Sequence, residues 1–148
     1  MTKELDQLLN TLILPCVERV DPAVRNAAFE ALGSLCTCDL ELAQQRLLLF
    51  VQAVQMDHTV LQVTTAKVLF DLVQLFGLPV SKIAASFLRD QLFSFVKFEF
   101  VFPNFQNFED KENGMSLGTV LTDLLDSEDA DVQTIAVEGF AKLFISSR

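Results

Sequence analysis

DPAVRNAAFEAL, residues 21–32, is the stretch on which the fold turns. An acid and a proline open it, and Val24, Ala28 and Leu32 then recur every four residues, the spacing of one face of a helix. Asp21 suits an N-cap, and Pro22 suits the first helical turn, where its missing N–H would have had no partner in any case. The pattern returns twice without gaps, as Gln62, Ala66 and Phe70 and as Val132, Ala136 and Phe140. Such self-similarity marks an internal repeat. In each copy the small Ala lets a neighbouring helix come close and the Leu or Phe fills the space beyond it, so all three positions are expected to face one side.

A second amphipathic segment precedes each copy, near 4–17, 40–55 and 115–125. Leu5, Leu8, Leu9, Leu12 and Ile13 form the first apolar stripe, and Leu117, Val120, Leu121, Leu124 and Leu125 form the last. The unit is therefore an antiparallel helix pair, and the fold class is all-α: an alpha-alpha superhelix, a solenoid segment with repeats at about 3–37, 39–77 and 115–146. The interval from Val24 to Gln62 is 38 residues and that from Gln62 to Val132 is 70, so the array is interrupted. The excess falls at about 79–114, after the helix-ending Gly77 and Pro79 and before the polar EDKENGM. SKIAASFLRDQLFSFV, 81–96, has the composition of one more helix.

Inside this insertion, FSFVKFEFVFPNFQNF at 93–108 holds seven of the chain's fourteen Phe residues. Phe98, Phe100 and Phe102 alternate as in a strand, but no other segment offers a sheet to pair with. Phe95, Phe98, Phe102 and Phe105 have helical spacing, yet Pro103 disfavours a helical Phe102. The expectation is a helix over about 95–101 followed by a loop. A further reading, non-exon sequence retained within 79–108, stays open beside it.

With 148 residues the chain suits one domain, which at that size buries roughly 68 to 70% of its unfolded surface. Its 51% hydrophobic and 21% charged composition is that of a folded chain. The longest apolar runs, such as LLLFVQAV at 47–54, are shorter than a bilayer span, so no membrane partner is expected. MTKELDQ shows neither the basic nor the apolar region of a secretion signal.

The net charge of -9 argues against nucleic-acid binding by this segment alone, because such affinity rests on Lys and Arg neutralising phosphates. Glu109 to Glu138 holds nine acids against the single Lys111, a surface that repels DNA and suits a basic partner. Cys16, Cys36 and Cys38 lack the spacing of a zinc or redox knuckle and read as reduced, mostly buried thiols. His58, the one histidine, reads as a surface residue. No Gly-rich phosphate loop, nucleophile beside a base or ligand cluster is visible, so no enzyme activity, metal, cofactor or small-molecule substrate is expected. Glu128 and Asp129 sit at a helix start, where negative charge complements the dipole. A partner surface, if present, falls on the polar positions of the second helices: Arg25, Asn26, Glu30, Lys67, Gln133, Glu138 and Lys142.

The 38-residue period, together with Asp21, Val24, Arg25 and Ala28, resembles the HEAT repeat, in which an Asp and an Arg near the inter-helix turn commonly interact between repeats. The second copy has Asp57 but Val63 at the Arg position, and the third has Gln133 there. The ordered phrases LILPCVERVDPAVRNAAFEALGSLCTCDLELAQQRLLLFVQAVQMD, LQVTTAKVLFDLVQLFG and LTDLLDSEDADVQTIAVEGFAKLF resemble the carboxyl-terminal HEAT region of the condensin subunit 3 family, over about 1–78 and 109–148. That resemblance implies a regulatory scaffold that binds the kleisin and SMC subunits of condensin and supports mitotic chromosome condensation. It places the chain in the nucleus and on mitotic chromosomes, also in the cytoplasm, with DNA held indirectly or by other parts of the subunit. A transport-receptor or phosphatase-type HEAT adaptor is the alternative. Solenoids need polar outer faces on their terminal repeats, and here the ends read as uncapped, so the isolated 148 residues are expected to self-associate.

Overall fold

The computed structural model describes residues 2–77 and 117–146, and all of the regular structure among them is helical. The insertion at 79–114, with the helices expected at 81–96 and 95–101 and the Phe run at 93–108, lies outside the described residues. The chain divides into two compact units, Met1–Leu72 and Val73–Arg148.

In the first unit, α1 runs over 3–17 as α-helical Lys3–Leu8, π-helical Leu9–Ile13 and α-helical Leu14–Val17. Helix α2 is Pro22–Cys38, α3 is Leu40–Met56, and α4 begins the second half of this pair at Thr59 and ends at Phe76, past the unit's boundary. In the second unit α5, Leu117–Asp123, continues into a 3-10 turn at Leu124–Asp126, and α6 is Ala130–Ser146. The fold is all-α, with solenoid-like helix pairs in which short turns join α1 to α2, α2 to α3 and α3 to α4, and, separately, α5 to α6.

Local chemistry sets the helix ends. Asp21 Oδ1 accepts from the Ala23 N–H at 2.9 Å, with Pro22 in the first turn of α2. Asp39 closes one helix and opens the next: its N–H donates to Cys36 O, and its Oδ1 accepts from the Leu42 N–H at 3.1 Å. Asp129 Oδ1 accepts from the N–H groups of Asp131 and Val132 at 2.9 and 3.3 Å, so the acid expected at this helix start is its cap. Gly77 ends α4 with φ 59°, the left-handed conformation that Gly adopts without steric cost.

The π segment of α1 traces to Pro15. Proline has no N–H to offer Thr11 O, and its ring crowds the carbonyl four residues back, so the chain widens one turn earlier. The Leu14 N–H donates to Leu9 O, the five-residue bond of a π-helix. Each residue then advances by a smaller angle than in an α-helix, which brings Leu9 and Ile13 over one another. These two are buried, whereas Leu5, Leu8 and Leu12 are exposed, so the single apolar stripe expected on this helix is split in two.

The core of the first unit is built on α2, α3 and α4. Phe29 and Phe50 meet edge to face with ring centroids 5.7 Å apart, locking α2 to α3. Gly33 lies against Val68, close enough that a Cβ at Gly33 would collide with the valine side chain. Leu32, Cys36, Leu61, Ala66, Leu69 and Leu72 are fully enclosed. Burial of a Leu or Phe side chain stabilises the fold by about 1.5 to 3 kcal/mol. Thr65 is also enclosed, and its hydroxyl donates to Leu61 O at 2.6 Å, which satisfies it within its own helix.

Helix α4 is long and apolar enough, by length and composition, to reach across a bilayer, although no single run in the sequence had suggested one. It is a core helix: its apolar face is buried in the protein, while Lys67 and Asp71 are exposed along it. In the second unit Val120, Leu121 and Leu124 of the first segment and Val132, Ala136 and Phe140 of α6 form the buried set.

The repeat columns divide. Ala28, Ala66 and Ala136 are all buried, as are Leu32, Phe70 and Phe140. The first column is not uniform, because Val132 is buried, Gln62 is half-buried and Val24 is exposed. Val24 lies in the first turn of α2, beside the exposed turn at 18–21. The cysteines also differ from expectation: all three are free, but only Cys36 is buried, Cys16 being half-buried and Cys38 exposed. Cys38 is the last residue of α2 and points away from the packed face that holds Cys36.

Candidate functional site

The polar positions of the second helices project from α2, α4 and α6, and the structure gives them different roles. Arg25 is ion-paired with Asp57, the residue that ends α3. Both side chains are largely shielded, at 25% and 13% exposure, so the pair ties the turn of the first helix pair to the turn of the second. Asp57 stands in a copy that has Val63 at the Arg position, but the HEAT pattern, in which such an Asp and Arg interact between repeats, allows it a partner in another copy. Across the repeat boundary it is the partner of Arg25, and the 38-residue register, in which Asp21 falls near Asp57, was the signal available for it.

Asn26 Nδ2 donates to Glu30 Oε1 at 3.1 Å, one helical turn along α2. The Asn26 Oδ1 is enclosed without a hydrogen-bond partner, as is Arg46 Nε on α3. Gln133 Nε2 donates to Leu125 O at 2.7 Å, so its side chain closes the turn ahead of α6. Lys67, Glu138 and Lys142 stand exposed, the last two one turn apart on α6. Glu30 is exposed as well and completes the polar strip of α2.

His58 is exposed, as expected of a surface residue, and its Nδ1 accepts from the Val60 N–H at 3.4 Å at the start of α4. Burial pushes the Cys36 thiol up to about 12, with Arg46 acting in the opposite direction, so this sulfur is held as a neutral apolar group. The Leu42 N–H chiefly holds the Asp39 carboxyl below its ordinary range. Among the described residues no group of three or more His, Cys, Asp or Glu is placed to hold a metal ion. What these faces offer is a set of polar positions on rigid helices, suited to contact with another macromolecule.

The class this defines is a helical-repeat segment. The family model for nuclear condensing complex subunits, C-terminal domain, matches residues 1–148, and the chain belongs to that family. It is 28% identical over 158 residues to condensin complex subunit 3 of Xenopus laevis, covering 97% of this chain and 15% of that protein. It is 27% identical over 149 residues to condensin complex subunit 3 of Homo sapiens, covering 99% and 14%. The chain thus spans about 15% of the length of these curated relatives. Its fold is similar to a chain in the crystal structure of the S. pombe condensin Cnd3-Cnd2 subcomplex, with a TM-score of 0.65 and 21% identity over 95% of this chain and 15% of that one.

Proposed function

We propose that the chain is a non-enzymatic scaffold segment of a condensin regulatory subunit, which binds the kleisin subunit, works with the SMC ATPase subunits and supports mitotic chromosome condensation. The observation that carries this reading is the family match along the whole chain, 1–148, and the similar solved chain comes from a Cnd3-Cnd2 subcomplex. A scaffold must hold a partner's shape without rearranging, and helix pairs locked by Phe29–Phe50 and Arg25–Asp57 supply that rigidity. The polar strips that include the half-buried Asn26 and the exposed Glu30, Lys67, Gln133, Glu138 and Lys142 are the proposed partner surface, with Arg25 positioning them through its ion pair. With a net charge of -9, DNA is held through other parts of the assembly. The site of action is the nucleus and mitotic chromosomes, also the cytoplasm.

A pull-down with purified kleisin and SMC subunits tests the proposal. Recovery of kleisin is the expected result. If neither is recovered under conditions where a full-length condensin subunit 3 does bind, the reading fails and a HEAT adaptor of another kind takes its place.

A further inference from the structure

One charged side chain stands where the packing of α3 asks for an apolar one. Leu42, Ala43, Phe50, Ala53 and Val54 are the buried positions of this helix. Arg46 falls four residues after Leu42, three after Ala43 and four before Phe50, at the middle of the same face. The 38-residue register puts Leu8 at this place in the first copy, so the repeat itself accepts an apolar residue there.

The Arg46 guanidinium is left without an acceptor. Its Nε is enclosed with no hydrogen bond, the side chain is half-buried, and it forms no ion pair among the described residues, although the chain carries 20 Asp and Glu. Cys36 of α2 lies near enough for Arg46 to act on its thiol, but burial keeps that sulfur protonated at neutral pH, so no thiolate answers the charge. An enclosed N–H without an acceptor costs stability, and a cation on a packed face costs more. A long stem that only reaches for water would account for the carbons of Arg46, but not for a nitrogen held short of the water. Local packing rules broken in this way are expected where a ligand offsets the cost. Nε alone is enclosed, so the two terminal nitrogens of the fork stay open. Guanidinium donors so presented match the oxygens of a carboxylate or a phosphate.

We propose that Arg46 is an oxyanion-binding site, its open terminal nitrogens beside the α2–α3 packing taking one carboxylate or phosphate group, either free in solution or carried by an acidic side chain of a protein partner. The site is separate from the polar strips of α2, α4 and α6 and does not rest on the condensin reading.

Thermal melts of the whole chain at fixed ionic strength, with chloride replaced stepwise by inorganic phosphate or by acetate, test it alongside Arg46→Met and the exposed-site control Arg19→Met. Phosphate stabilises folded proteins in general by exclusion from their surfaces, so the readout is the difference between chains. The unmodified chain and Arg19→Met are expected to gain about 2 to 4 °C more than Arg46→Met, and to saturate. In chloride alone Arg46→Met is expected to melt higher than the unmodified chain, because Met keeps an apolar stem and removes the unanswered charge. Titration with kleisin separates the two sources: a tenfold loss of affinity in Arg46→Met assigns the group to the partner, and unchanged affinity assigns it to a free anion. An Arg46→Met chain that melts lower than the unmodified one or fails to fold is what a purely structural arginine predicts and would overturn the proposal. So would a response to phosphate and acetate that is equal in the two chains.

Discussion

At the scale of single residues, Arg25 and Asp57 form a contact whose strength is measurable by a double-mutant cycle. Their shielding lies between that of exposed and buried pairs, so Arg25→Ala or Asp57→Ala is expected to cost about 1 to 2 kcal/mol in urea unfolding. The double variant is expected to cost less than the sum of the two, and additivity would remove the pair as a contributor. Leu32 is fully enclosed, and Leu32→Ala is expected to cost about 2 to 5 kcal/mol by the same measurement.

Thiol labelling separates the cysteines. At neutral pH Cys38 is expected to react in the folded chain and Cys36 only after unfolding. The linkage has a definite sign. The Cys36 thiol is raised from an ordinary value of 9.0 to about 12, so the unfolded chain gives up this proton first, and stability falls as the pH rises through that window. Cys36→Ala is expected to flatten the alkaline limb of the stability profile.

The Ala and Leu or Phe columns were legible in the sequence because their burial follows from four-residue spacing alone. Val24 was not, since periodicity describes a face of a helix and says nothing about where that face runs out of neighbours. Arg25 was legible as a polar position, but its engagement depends on a residue 32 positions further on, which spacing within one helix cannot reveal.

Elements meet where small residues permit it, and Gly33 is the sharpest case. Replacing Gly by Ala in a helix gains about 1 kcal/mol of propensity, but overpacking a core costs about 1 to 3 kcal/mol. Val68 is stiff at χ1 and stands where the new methyl would go, so Gly33→Ala is expected to destabilise the fold, and Val68→Ala to relieve it in the double variant. Stabilisation by Gly33→Ala alone would contradict the close packing of α2 on α4. At the junction of α2 and α3, Asp39 is held below its ordinary carboxyl value of 3.8, chiefly by the Leu42 N–H, so its contribution is present above that pH and is lost as the pH falls below it. Asp39→Asn keeps a capping side chain without the titration and is expected to make the acid limb of urea unfolding shallower. The helices themselves were readable from their caps and periods. The π turn was not, because it arises from a hydrogen bond that Pro15 fails to make rather than from any pattern of apolar residues.

For the molecule as a whole, the all-α repeat architecture was legible because the same spacing occurs three times, and a repeated error is rarer than a single one. The resemblance to the condensin subunit 3 family was carried by ordered phrases on either side of the insertion, and the family model matches along the full 1–148. The individual contact residues were less legible, since exposed polar positions on a helix look alike whether they bind a partner or only water. The central claim is that this scaffold segment engages kleisin, and isothermal titration of the purified 148-residue chain with kleisin measures it most directly. Saturable one-to-one binding, weakened by charge reversal at Lys67 or Lys142, is the predicted result. No heat of binding, under conditions where a full-length condensin subunit 3 binds the same kleisin, would contradict it.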